Sequence, residues 1–215
     1  MIIESRFNGP PGSGNGGWSA GVFASAYGGG GPTEVTLRRP PPLDTPLTLT
    51  GDQVRDPDGE VIAELRTAED LEDPVPPVDP ATARAAAAAY PGLTDHPFPG
   101  CYVCGPQRPD GLRIFPGRLP DGRTAAPFQV PAQVSVATAW AALDCPGGWA
   151  VIEAGRPYLL GRIAAQIAAL PRPGDECVIT GAVVETVGRK AIVRTSLYGP
   201  EGELLGRARA TWIAR

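Results

Sequence analysis

Histidine and lysine are all but missing from this 215-residue chain: His96 is the only histidine and Lys190 the only lysine. Any chemistry that needs a histidine base therefore has one candidate. The other basic side chains are arginine, and 19 Lys plus Arg against 23 Asp plus Glu leave a net charge of −4. That balance argues against nucleic acid or an anionic membrane as the main partner. No run of about 18 apolar residues occurs, so no membrane-spanning helix is expected. Met1-Ile2-Ile3-Glu4-Ser5-Arg6 lacks the charged-then-apolar layout of a secretion signal. Four cysteines are too few for a disulfide framework in a chain of this length. Together these absences point to a soluble, cytoplasmic protein.

Glycine and proline are abundant, 28 and 26 residues, a proportion that by itself would suit disorder. A hydrophobic fraction of 42% and the small net charge decide for a folded chain, because there is apolar surface to bury and little self-repulsion. The spacing predicts a short strand over 1–8, a glycine-rich loop over 9–17 and a helix over 16–27, stopped by Gly28 to Pro32. Alternation marks strands at Val35 and Leu37, at Leu47 and Leu49, and over Glu60 to Thr67 after an Asp56-Pro57-Asp58-Gly59 turn. The Pro-rich, acidic segment 68–80 reads as a linker, followed by an Ala-rich helix over 81–90. A hairpin is expected from 112–115 and 123–130. A helix over 133–144 carries Val136, Trp140 and Leu143 on one face and should end or kink at Cys145, before Pro146. Four strands then follow near 159–169, 176–186, 190–198 and 203–214, although the alanines of 159–169 suit a helix as well.

Each half thus reads as one helix followed by antiparallel strands, an α+β pattern. Short matches hint at a repeat. Asn15-Gly16-Gly17-Trp18 resembles Pro146-Gly147-Gly148-Trp149, and Asp58-Gly59-Glu60 resembles Glu201-Gly202-Glu203. The first half is one strand short.

Ala141-Ala142-Leu143-Asp144 on its helix, the Pro173-Gly174-Asp175 turn and three hairpin-linked strands ending in Arg209-Ala210-Thr211-Trp212 resemble a hotdog-fold thioesterase over about residues 123–215. Asn15-Gly16-Gly17 resembles the His-Gly-Gly that opens the helix in phenylacetyl-CoA-type members of that family, with Asn in place of His. Ala24 stands where the family's acid would be, and Ser135-Val136-Ala137 stands where the second half would repeat His-Gly-Gly. Each half has kept one element and lost the other. The resemblance implies a tandem, double-hotdog chain: two curved antiparallel sheets, each wrapped on a central helix, forming a pseudo-dimer within one chain. The units implied are 1–67, a linker over 68–122, and 123–215.

It also implies one composite site for an acyl-CoA or related thioester. The amides of Gly16 and Gly17 at a helix start would receive the negative carbonyl oxygen. Asp144 would attack the carbonyl or activate water. Its place beside an apolar stripe should raise its pKa. The other reading of Asp144 is a carboxylate tied to a nearby backbone N–H, and that of Gly16-Gly17 a plain helix start. Asn15 either orients substrate or caps the helix, with capping favoured. Asn8 stands near a polar position of the family. Trp18, Trp140 and Trp149 are candidates to line an acyl pocket, though core packing is the commoner fate of tryptophan. No cofactor and no metal is required; the partner expected is a small acyl thioester, with a further homodimer of the tandem chain open. A non-catalytic acyl-binding protein is the alternative, because Asn15 departs from the motif.

Two other signals compete. Gly17-Trp18-Ser19-Ala20-Gly21 matches the Gly-x-Ser-x-Gly nucleophile elbow, which needs a strand before it and a parallel sheet. His96, Cys101 and Cys104 form a His-x4-Cys-x2-Cys cluster that Cys145 could complete as a metal site. The plainer reading is a loop packing Phe98 and Tyr102 against the sheet.

Overall fold

A computed structural model describes residues 1–28, 31–69, 71–153 and 156–215. Three helices are present among them: α1 (Gly16–Tyr27), α2 (Pro80–Ala88) and α3 (Val136–Gly148). Ten strands follow the chain as β1 (Thr33–Leu37), β2 (Thr48–Thr50), β3 (Gln53–Arg55), β4 (Val61–Thr67), β5 (Gly117–Arg118), β6 (Thr124–Gln129), β7 (Tyr158–Ile167), β8 (Glu176–Val187), β9 (Lys190–Tyr198) and β10 (Leu204–Ala214).

All ten join one antiparallel sheet, in the order β2-β3-β4-β1-β7-β10-β9-β8-β6-β5. The two curved sheets expected from the sequence are thus joined edge to edge in one. β1 pairs with β7, Thr33 opposite Ala165 through Thr36 opposite Arg162, and closes the two halves into a single surface. Outward from that seam the strands run β1, β4, β3, β2 on one side and β7, β10, β9, β8 on the other, so the same permuted order occurs twice. β6 is the strand that has no full counterpart in the first half. Residues 5–7 form a 3-10 turn rather than the expected strand. Met1 and Leu47 nevertheless exchange backbone hydrogen bonds of 2.6 and 2.7 Å, so the chain start lies beside the β2 end of the sheet.

Local chemistry sets the elements. Asn15 caps α1 by accepting from the Trp18 N–H at 2.8 Å, and Ser135 caps α3 in a capping box with Thr138. Gly51, at φ +61°, turns the chain between β2 and β3, which splits the strand expected ahead of Asp56. Leu112 to Phe115 is not a strand: Leu112 and Ile114 donate their amides to Tyr102 and Val103 carbonyls, leaving β5 as the short partner of β6.

α3 continues through Pro146 to Gly148 instead of ending at Cys145. Two sheet hydroxyls steady that end: Thr195 donates to the Leu143 carbonyl and Thr124 to the Pro146 carbonyl, both at 2.7 Å. They bond two carbonyls of the turn that contains the proline. α1 and α3 cross closely at two glycines. A β-carbon on Gly21 would meet the Ala137 Cα at 2.7 Å, and one on Gly17 would meet the Asp144 Cβ at 2.4 Å. The main core lies between these helices and one sheet face. On the opposite face of β6 and β8, Ala83 and Ala86 of α2 pack on Ala125 and Val178. The 68–122 segment is tied down as well, since Val75 donates to Ser196 Oγ and accepts from Thr180 and Tyr198 hydroxyls.

Candidate functional site

α1 begins over the seam of the sheet, where a β-carbon on Gly16 would meet Leu160 of β7 at 2.8 Å and Leu37 of β1 at 3.4 Å. The last turns of α3 pass directly behind it. The Asp144 carboxylate therefore reaches the first turn of α1: Oδ2 accepts from the Gly17 N–H at 2.9 Å and from Asn15 Nδ2 at 3.3 Å. The two partners are 127 positions apart in sequence. Asp144 is 1% exposed, and its Oδ1 has no hydrogen-bond partner among the described residues. Burial pushes its carboxyl up to about 7, the Gly17 and Asn15 donors oppose the rise, and the nearby Cys101 sulfur adds to it. The positive end of the helix and two donors thus hold an ionisable group that burial would otherwise neutralise.

A cleft of about 790 Å³ opens on this point, lined by Asn15, Gly16 and Asp144. Phe98, Trp149, Ile152, Leu160 and Trp212 give it an apolar wall. Arg38, Arg39, Arg189 and Arg215 lie around it, the first two ion-paired with Glu64 and Glu60. Of the first amides of α1, Gly17 is bonded to Asp144, Trp18 to the Asn15 side chain and Ser19 to the Asn15 carbonyl. Gly16 lines the cleft, and its amide has no hydrogen-bond partner among the described residues.

The candidates read from the sequence separate into two groups. Asn15, Gly16, Gly17 and Asp144 meet at one point, and Trp149 lines the same cleft. Trp18 instead stacks on Phe7 with ring centroids 3.7 Å apart, and Trp140 is buried between the helices. Asn8 ties loops together, donating to the Gly100 carbonyl and accepting from Arg108. Ser19 is fully buried with no partner for its hydroxyl among the described residues, follows a loop and sits over an antiparallel sheet, so the nucleophile-elbow context is lacking. The cleft arginines escaped the sequence reading because they are dispersed along the chain and only the fold gathers them.

No protein-family model and no curated protein matches the sequence. Among solved structures, a conserved protein of unknown function with hot dog fold from Alicyclobacillus acidocaldarius is similar over 100% of this chain and 91% of its own, with a TM-score of 0.63 and 13% identity. A thioesterase superfamily protein matches 54% of this chain with a TM-score of 0.48 and 15% identity, and the chain spans 61% of that protein's length. The Escherichia coli PaaI protein from the phenylacetic acid degradation operon matches over 48% of this chain and 80% of its own, with a TM-score of 0.44 and 12% identity. The last two overlaps are too partial to bear on the site. No helix among the described residues is long and apolar enough to cross a membrane. The likeness that runs the full length of the chain gives it the hotdog fold.

Proposed function

We propose that the chain is a tandem double hotdog, its halves joined as a pseudo-dimer, and that it hydrolyses an acyl-CoA or a related acyl thioester at one composite site. The observation that carries this reading is the Asp144 carboxylate, held buried at the α1 N-terminus beside the cleft, with one oxygen unpartnered among the described residues. In the mechanism proposed, Asp144 takes a proton from the attacking water. The Gly16 amide and the positive helix end receive the charge that develops on the thioester oxygen. The protonated Asp144 then returns its proton to the departing thiolate. The arginines around the cleft support a phosphate-bearing thiol carrier, and the apolar wall supports an acyl chain.

A non-catalytic acyl-binding protein is the second reading. It is favoured by the Gly17 amide, which is already engaged by Asp144 and not free for a substrate oxygen. The test is release of free thiol from a panel of acyl-CoAs by the wild type and by Ser19→Ala. Equal turnover by both supports the composite site. Loss of turnover in Ser19→Ala alone returns the elbow. Absence of turnover with ligand-dependent thermal stabilisation supports the binding protein.

A further inference from the structure

A cluster that the proposed reaction does not use lies on the cleft wall next to Asp144. Cys101 and Cys104 come from the loop before β5, and Cys145 from α3. All three are buried and free of disulfides, and their sulfurs lie within 4.8 Å of one another. Tetrahedral zinc with thiolate bonds of ~2.3 Å sets its sulfurs about 3.8 Å apart, so side-chain adjustments of about 1 Å or less bring these three into place. The loop has the form such a site needs. Cys101 and Cys104 are two residues apart, and Gly105 closes the turn with its amide on the Cys101 carbonyl at 2.9 Å. A β-carbon at Gly105 would lie 2.5 Å from the Cys101 backbone, so no other residue fits there.

N–H groups also point at the sulfurs. Asn15 Nδ2 donates to Cys101 Sγ at 3.8 Å. His96 Nδ1 accepts from the Phe98 amide at 2.8 Å, which places the ring proton on Nε2, 3.4 Å from Cys104 Sγ. Donors arranged this way suit thiolates rather than neutral thiols.

We propose that Cys101, Cys104 and Cys145 bind a zinc ion as three thiolates, with His96 donating a hydrogen bond to the Cys104 sulfur and the fourth position facing the cleft. The choice of zinc follows from the ligands. Soft thiolates exclude magnesium and calcium, and three cysteines are one short of the usual iron–sulfur set. The ion would fasten the 96–115 loop to the end of α3 and so fix the wall beside Asp144. This departs from the expectation of a metal-free protein drawn from the sequence, and it does not depend on thioester hydrolysis.

The test is metal content of the full chain, reduced, incubated with zinc and freed of excess by gel filtration. Stoichiometric zinc is expected in the wild type, in His96→Ala and in Cys177→Ala, whose thiol lies in β8 outside the cluster. Loss of zinc is expected in Cys101→Ser and Cys145→Ser. Because those variants remove buried groups, cobalt uptake by the wild type gives a second readout, with thiolate-to-cobalt charge-transfer absorption expected. A wild type that retains no zinc and shows no such absorption overturns the proposal. A Cys101–Cys104 disulfide in the isolated protein overturns it as well. Zinc loss in His96→Ala overturns the three-thiolate arrangement.

Discussion

A methyl group at position 17 would lie 2.4 Å from the Asp144 β-carbon and 2.8 Å from the Trp140 carbonyl. Glycine is therefore required there for packing, whatever the chemistry, and the same absence of a side chain lets the carboxylate reach the amide. The Gly17→Ala variant should lose about 1–3 kcal/mol of stability by overpacking, measured by urea denaturation, and should also lose turnover as Asp144 is pushed from its donors. A variant with unchanged stability would mean that the helices are not this close. Asn15 shows a similar overlap of roles. It caps α1 through its carbonyl oxygen, and its amide nitrogen contacts both Asp144 and Cys101. Capping was legible from the residue type and the glycines after it. The contact with Asp144 was legible only by counting against the family motif, and the contact with Cys101 was not legible at all.

At the level of elements, the sequence reading worked best where one face of a strand is buried and the turns carry glycine. β8, β9 and β10 fall within a residue or so of their expected limits, because Gly188 and Gly202 sit at positive φ in the turns between them. It worked least well where tertiary contacts replace a local rule. Proline at position 146 signals a helix end by local sterics, yet α3 runs on because Thr195 and Thr124 on neighbouring strands bond its carbonyls. The Thr195→Val variant keeps the shape and removes one of these bonds. It should cost about 0.5–1.5 kcal/mol, seen as a lower denaturation midpoint at unchanged slope. No change in midpoint would show that the helix end needs no such support. The 112–115 segment went astray for a similar reason, since its amides pair with the Cys-x2-Cys loop, a partner that alternation does not reveal.

Across the whole molecule, the decisive feature is the β1–β7 seam. β1 read as ordinary alternation and β7 as a strand whose alanines suit a helix as well, and nothing local says that they pair with each other. Their pairing turns two sets of strands into one sheet and places the start of α1 against the last turns of α3. On the tandem reading proposed above, the complementary losses expected in the two halves would then have a physical meaning. The Gly-Gly helix start comes from one half and the acid from the other, and a single cleft receives both. Cys145 reaches Cys101 and Cys104 by the same folding, from a distant part of the chain. The most direct measurement of the account is the rate of thiol release by Asp144→Asn, an isosteric change that can keep the bond to the Gly17 amide. Turnover should fall ~10²–10⁴-fold while acyl-CoA still raises the melting temperature. A variant that turns over thioester as fast as the wild type would contradict it.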